Sequence, residues 1–166
     1  MASRKKLTHV DAKGSAHMVD VGEKPSTTRR AVACGFVRMN AAARQALAEN
    51  KLAKGDALAV ARVAGIQAAK RTADWIPLCH SLPLTHVRLD LTLDSRRGGV
   101  SIEAETATVA PTGVEMEALT AVAGAALTLY DMAKSLDREM SIEKIELVRK
   151  EGGRSGKFVR PTRQTD

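Results

Sequence analysis

The sequence predicts a single α+β domain whose elements follow the order strand, two helices, β-hairpin, helix and strand. Two patterns support this prediction, because four segments alternate as strands do and three Ala-rich or capped segments are typical of helices. The length of 166 residues fits one domain. Hydrophobic residues make up 44% and charged residues 27%, which indicates a packed core rather than a disordered chain.

The first half of the chain contains a polar arm, one strand and two helices. Residues 1–28 are polar and interrupted by glycine and proline, so we expect an irregular arm. Residues 29–38 alternate loosely and predict a strand. Asn40 is expected to cap an Ala-rich helix of about ten residues. Asp56 is expected to cap a second helix that ends near Thr72.

A loop and a hairpin follow the second helix. Residues 74–83 contain two prolines, which exclude regular structure, yet the loop is strongly apolar. Such a loop is usually buried or lines a site. Residues 86–94 and 100–109 alternate around a Gly-Gly turn and predict the two strands of a β-hairpin.

The second half ends with a helix, a strand and a glycine-rich tail. Thr112 and Glu115 fit a capping box, which predicts a long helix reaching about Leu136. Residues 141–150 alternate and predict the last strand. With one extra helix, this order is the βαββαβ plan of ferredoxin-like folds. The chain therefore divides into an arm (1–28), a single α+β catalytic domain (29–150) and a mobile basic tail (151–166).

Charge and composition limit the class of function. The net charge of +7 favours phosphate-bearing ligands, which include nucleic acids, acidic lipids and small metabolites. Few aromatic residues and no groove-reading motif argue against nucleic acid. Two cysteines, Cys34 and Cys79, fit a reducing compartment. No secretory signal is visible, and the most apolar segment, 118–130, is too short for a membrane span, so we expect a cytoplasmic protein.

The apolar loop holds one candidate site, Cys79-His80. The pair is a possible metal site, but the other histidines show no ligand spacing with it. A lone histidine in an apolar loop is often structural. The two prolines nevertheless make this loop rigid, and a rigid loop with one imidazole suits general acid/base catalysis.

The helices supply further candidates. Lys54 lies where a turn enters a helix and is either a solvated lysine or a phosphate ligand. Asp131 and Lys134 share a helix face, as a surface ion pair or as a partly buried acid–base pair. The capping box accounts for Glu115, whereas Glu117 has no such structural role.

The glycine-rich tail resembles a phosphate loop but lacks its spacing and its following helix. With Lys150, Arg154 and Lys157 it is either a flap over phosphates or a frayed basic end. Glu117 and Asp131 lie fourteen residues apart, about 21 Å along one helix. If both serve one nucleotide-sized ligand, the site lies between two subunits. The small residues Ala121, Gly124 and Ala125 would suit helix packing against a partner.

Several long strings, in order and spacing, resemble the family of cyclic pyranopterin monophosphate synthases of molybdenum cofactor biosynthesis. The resemblance covers about residues 7–158. The strings that carry it are Leu7-Thr8-His9-Val10-Asp11, His17-Met18-Val19-Asp20-Val21, Lys54-Gly55-Asp56, Ala64-Gly65-Ile66-Gln67-Ala68-Ala69-Lys70-Arg71-Thr72, Ile76-Pro77-Leu78-Cys79-His80, Thr112-Gly113-Val114-Glu115-Met116-Glu117-Ala118-Leu119-Thr120, Leu129-Tyr130-Asp131-Met132-Ala133-Lys134 and Gly152-Gly153-Arg154-Ser155-Gly156.

The resemblance implies a ferredoxin-like fold assembled as a hexamer, a trimer of dimers, with active sites between subunits. It implies conversion of (8S)-3',8-cyclo-7,8-dihydroguanosine 5'-triphosphate to cyclic pyranopterin monophosphate and diphosphate. No electron is transferred in this reaction, so no redox cofactor is implied, and no metal ligands are assigned. It also implies a partner, the upstream radical enzyme that makes the substrate. The rival hypotheses are a nucleic-acid-binding module and a non-catalytic assembly protein.

Site residues follow from the same matched strings. The catalytic residues implied are Asp131 as acid/base, Lys134 assisting it, Lys54 and His80. The substrate-binding residues implied are Leu78, Cys79 and His80 in one segment, Met116 and Glu117 in another, and Lys70, Lys150 and Arg29 for the triphosphate.

Overall fold

The computed structural model describes residues 15–161, in which helices cover one face of a five-stranded antiparallel sheet. The strands are β1 (Thr27–Arg38), β2 (Leu84–Asp94), β3 (Gly99–Ala110), β4 (Ser141–Glu151) and β5 (Phe158–Val159). The helices are α1 (Ala41–Ala48), α2 (Ala57–Lys70), α3 (Thr72–Trp75) and α4 (Glu115–Ala133). The α+β class and the order of the predicted elements are confirmed, and α3 and β5 are additional.

Neighbouring strands of the sheet follow the order β2-β3-β1-β4-β5. The central strand β1 pairs antiparallel with β3 and with β4, so that Ala33 lies opposite Ala104 on one side and Leu147 on the other. The arrangement of the first four strands is consistent with the predicted ferredoxin-like plan. Helix α4 packs on the three strands β1, β3 and β4.

Side-chain caps begin the first two helices as predicted. The Asn40 side chain accepts a hydrogen bond from the Ala43 N–H at 2.8 Å, and the Asp56 side chain accepts one from Ala59 at 2.9 Å. Helix α2 ends slightly before the predicted position. Thr72 instead begins α3, and its hydroxyl donates to the Ala69 carbonyl at 3.0 Å.

The capping box predicted at Thr112 is wrong. The N-cap of α4 is Val114, no side chain caps it, and the helix ends at Ala133, a few residues earlier than predicted. The Glu115 carboxylate lies 3.2 Å from Lys150 Nζ on β4. A contact between distant parts of the chain has therefore replaced the local cap.

Small residues bring α2 and α4 close together. A Cβ on Gly124 would lie 2.5 Å from the Ala68 Cβ, and one on Gly65 would lie 2.7 Å from the Ala121 carbonyl oxygen. Ala121 and Ala125 are fully buried. The expectation that this face of α4 packs against a partner is therefore wrong, because α2 of the same chain covers it.

The core lies between the sheet and the two long helices, where Ile102, Val122 and Leu129 are fully buried. On the opposite face of the sheet, Phe36 is buried beneath the Arg97 guanidinium, which lies 4.0 Å from the ring centroid. Among the described helices, none is long and apolar enough to cross a membrane.

The division into arm, domain and tail stays a prediction. Strand β1 begins at Thr27, within the predicted arm, and β5 pairs with Arg149 and Lys150 of β4 from within the predicted tail. The predicted motif at residues 7–11, which includes His9, lies outside the described residues.

Candidate active site

Two clusters of predicted site residues lie at opposite ends of α4. At the N-terminal end are two adjoining cavities. The Cys79–His80 cavity, of about 380 Å³, is lined by both loop residues and by Met116 and Glu117 of α4. The Lys150 cavity, of about 620 Å³, lies beside it. The cavities share four lining residues, which are Lys24, Thr112, Gly113 and Glu115.

The loop before β2 holds His80 in a defined orientation. A turn with a hydrogen bond from the Cys79 N–H to the Ile76 carbonyl precedes it. The His80 ring nitrogen Nε2 lies 2.9 Å from the Val19 carbonyl oxygen, which can only accept a hydrogen bond. Nε2 therefore carries a proton, and in the neutral tautomer with that proton Nδ1 is the acceptor nitrogen. The predicted loop segment Leu78, Cys79 and His80 lines one cavity with the arm.

Glu117 is the buried acid of this cavity. The residue is 4% exposed in the described chain. Burial raises the pKa of Glu117 to about 7, its own backbone N–H opposes this rise, and the charge of Glu115 adds to it. Burial of the Cys79 thiol, together with the charge of Glu117, raises the pKa of that thiol. Near neutral pH, Glu117 is therefore able to donate or to accept a proton.

Cationic side chains dominate the lining of the Lys150 cavity. It contains five of them against two carboxylates. These cations are Lys24, Arg29, Arg30, Lys150 and Arg154. Arg29 is held by hydrogen bonds to the carbonyls of Ala110 at 3.3 Å and Pro111 at 3.1 Å. Such a lining is suited to a phosphorylated ligand.

The C-terminal end of α4 carries the second cluster, in which Asp131 lies between two lysines. Lys54 Nζ lies 2.6 Å from one carboxylate oxygen and 3.0 Å from the Asp131 carbonyl oxygen. Lys134 Nζ lies 2.7 Å from the other carboxylate oxygen. The hydrogen bonds from Lys134 first, and then from Lys54, lower the pKa of Asp131 to about 2. The shared helix face of Asp131 and Lys134 is confirmed.

This second cluster is open in a single chain. The three side chains of Lys54, Asp131 and Lys134 are each about half exposed, so in one copy of the chain the alternative that applies to Asp131 and Lys134 is the surface ion pair. Lys54 contacts the end of α4 rather than the N-terminus of α2 that follows it. Its charge thereby also offsets the negative end of the α4 dipole.

Lys70 lies apart from both clusters. It lines a separate concavity with residues 82–87 at the start of β2. Within the described chain, it lines neither the Cys79–His80 cavity nor the Lys150 cavity. Of the three residues predicted to bind the triphosphate, Arg29 and Lys150 line one cavity of the described chain, and Lys70 lies outside it.

Sequence reasoning missed several contributors to the cavities, among them Arg30, Val19, Lys24 and Ser155. Val19 contributes its backbone carbonyl, which no residue type in the sequence indicates, and only the structure shows that it lies against His80. Lys24 lines both cavities, and its only signal was a lysine before a proline in a polar arm. The Ser155 hydroxyl lies 2.6 Å from Lys150 Nζ, and its position inside a glycine-rich string was a usable signal.

The chain is similar to known proteins over the segment that contains both clusters. The family model described as the MoaC family matches residues 18–153. A cyclic pyranopterin monophosphate synthase of Roseiflexus sp. (strain RS-1) is 61% identical over 92% of this chain and 97% of its own length. Synthases of the same name from Thermomicrobium roseum and Parvibaculum lavamentivorans are each 58% identical over 93% of this chain, and over 93% and 96% of their own lengths. The chain therefore belongs to the MoaC family.

Proposed function

We propose that this chain is a cyclic pyranopterin monophosphate synthase of molybdenum cofactor biosynthesis. The reaction converts (8S)-3',8-cyclo-7,8-dihydroguanosine 5'-triphosphate to cyclic pyranopterin monophosphate and releases diphosphate. The observation that carries this proposal is the Asp131 cluster, in which one carboxylate lies within hydrogen-bond distance of two ammonium groups. Relatives that carry this name are similar over nearly the whole chain.

The two adjoining cavities divide the substrate between them. The ring system occupies the Cys79–His80 cavity, where Leu78, Met116 and Glu117 contact it. This assignment is supported by the mixed lining, which offers apolar walls together with an imidazole and a buried carboxyl group. His80 accepts or returns a proton through Nδ1, since Nε2 is engaged by the arm.

The triphosphate occupies the Lys150 cavity, where Arg29 and Lys150 bind it. The cavity volume of about 620 Å³ is that of a small-molecule site, which favours a phosphorylated metabolite over a duplex. Cationic groups stabilise the charge that develops as diphosphate leaves. Lys70 reaches a triphosphate only from a neighbouring copy, because it lies apart in its own chain.

The catalytic cluster of Asp131, Lys54 and Lys134 comes from a second copy of the chain. Glu117 and Asp131 both lie on α4 and are about 21 Å apart along its axis. One ligand therefore reaches both groups only if two copies meet at the site. A hexamer built as a trimer of dimers, the assembly implied by the family resemblance, provides such meetings.

The chemistry requires proton transfers but no net electron transfer. Carboxylate, imidazole and ammonium groups supply those transfers at the carbons and nitrogens of the ring. No metal or redox cofactor enters the proposal. The substrate is supplied by a radical enzyme that acts upstream, and we place both enzymes in the cytoplasm.

The proposal is tested by turnover of the purified oligomer on the cyclised dihydroguanosine triphosphate. Diphosphate release and the fluorescence of the oxidised pterin product are followed together. Asp131→Asn is expected to leave folding and assembly intact and to abolish both signals. Glu49→Gln is the matched control, because Glu49 is likewise an exposed carboxylate paired with a lysine, Lys51, at 2.6 Å. It is expected to keep full activity.

Each other outcome has a distinct meaning. Near-normal turnover by Asp131→Asn would remove Asp131 from the mechanism. Diphosphate without pterin would indicate a phosphohydrolase. Neither signal from a folded oligomer, together with salt-dependent binding of nucleic acid, would favour the nucleic-acid-binding module.

A further inference from the structure

The Lys150 ammonium group is held by two oxygens from different parts of the chain. One belongs to the Glu115 carboxylate, at 3.2 Å, and the other to the Ser155 hydroxyl, at 2.6 Å. An ammonium group has three N–H donors. With two of them engaged, the third remains for a ligand in the cavity that all three residues line.

Ser155 is positioned by a tight turn after β4. Gly152, Gly153 and Gly156 all have positive φ angles, which glycine adopts without strain. The Gly156 N–H donates to the Gly153 carbonyl at 3.1 Å and closes the turn. A side chain on Gly153 would overlap the Arg29 guanidinium, so the turn packs directly against that cation.

We propose that Ser155 binds one phosphoryl group of the ligand and positions Lys150 for the same group. The inference rests on the proposed function, because it assumes that Lys150 binds the triphosphate. It adds a residue to which neither the family resemblance nor the sequence assigned a role. The ligand class is a diphosphate or triphosphate ester, or free diphosphate.

The geometry explains why a hydroxyl is needed at this position. The Ser155 oxygen accepts a hydrogen bond from the Lys150 ammonium group, so the Ser155 O–H can donate to another group. The cavity that both residues line lies beside it. Without that oxygen, only the Glu115 carboxylate would hold the ammonium group. The serine thus keeps Lys150 between the carboxylate and the turn, and the pair offers two donors to one anion.

The test uses binding of inorganic diphosphate to the full-length oligomer, measured by calorimetry, beside the kinetics of turnover. Ser155→Ala is expected to weaken diphosphate affinity and to raise KM by roughly threefold to tenfold, the value of one hydrogen bond. The turnover number is expected to change little. Ser155→Thr keeps the hydroxyl and is expected to restore affinity. Ser95→Ala, on the exposed β2–β3 turn, is the matched control.

A double-mutant cycle separates positioning from a structural effect. In the Lys150→Ala background, Ser155→Ala is expected to lower diphosphate affinity much less than it does in the parent protein, because the ammonium group that Ser155 positions is gone. Additive losses, no loss in Ser155→Ala, or failure of Ser155→Thr to restore binding would each overturn the inference. If Lys150→Ala leaves diphosphate affinity unchanged, the proposed phosphate site is wrong, and the role of Ser155 is wrong with it. If Lys150→Ala weakens binding but Ser155→Ala does not, only the role of Ser155 is wrong.

Discussion

Replacing Glu117 with glutamine should make the protein more stable at alkaline pH and less active. The buried carboxyl group has its pKa raised to about 7 from 4.5, because ionisation in the cavity is opposed by burial. Between pH 4.5 and 7 the folded chain therefore binds more protons than the unfolded chain. The free energy of unfolding consequently falls as the pH rises through this window.

The size of the change in the free energy of unfolding follows from the rise in the pKa of Glu117. A pKa difference of this size corresponds to a penalty of about 3 kcal/mol once Glu117 is ionised, at about 1.4 kcal/mol per pH unit. Glutamine has nearly the same shape but no charge to bury. Glu117→Gln is thus expected to raise the free energy of unfolding by about 1 kcal/mol or less at pH 5 and by about 3 kcal/mol at pH 8.

The assay is denaturant unfolding at fixed protein concentration and ionic strength, at intervals from pH 5 to pH 8. Glu49→Gln serves as the control. Hydrogen bonds from Lys51 and Gln45 lower the pKa of Glu49, so its carboxylate is ionised throughout this range and its loss should add no pH dependence. A difference between Glu117→Gln and the parent that is constant from pH 5 to pH 8 would refute the reasoning.

Two further predictions follow from the positions of residues on α4. Mixing Glu117→Ala copies with equal amounts of Asp131→Asn copies is expected to regenerate about a quarter of the sites if each site takes one residue from each of two copies. Activity no greater than that of the separate variants would place each site within one chain. Gly124→Ala is expected to destabilise the fold by about 1–3 kcal/mol in denaturant unfolding, because the new Cβ meets Ala68. Alanine is the better helix former by about 1 kcal/mol, so a stabilised variant would contradict the close helix contact.

Local signals in the sequence predicted most of the fold. The caps at Asn40 and Asp56 and the alternation in the hairpin depend on residues close together in the chain, and all were confirmed. The capping box at Thr112 failed for the opposite reason. Glu115 is drawn to Lys150, which lies on a strand 35 positions later, and no local pattern reports such a contact.

Local patterns in the sequence predicted less of the candidate site than of the fold. Residue spacing predicted that Asp131 and Lys134 share a face, but not that Lys54, 77 residues earlier, completes the cluster. The resemblance to a family implied that Lys54 is catalytic, and only the structure shows its contact with Asp131. The glycine-rich segment likewise appeared irregular from the sequence, because its glycines allow many conformations and its close packing against Arg29 is a contact between distant parts of the chain.

The two carboxyl groups of the proposed site differ in their environments, and this difference suggests their roles. Burial holds the pKa of Glu117 at about 7, whereas two ammonium partners hold that of Asp131 at about 2. At neutral pH, about half of the Glu117 side chains are therefore protonated and able to donate, whereas Asp131 is an ionised acceptor. An anionic ligand that draws Lys54 or Lys134 away from Asp131 would raise the pKa of that carboxylate and make it a stronger base. A site assembled from two copies would thus bring an acid and a base to one ligand, and the ligand's own phosphates would help to activate the base.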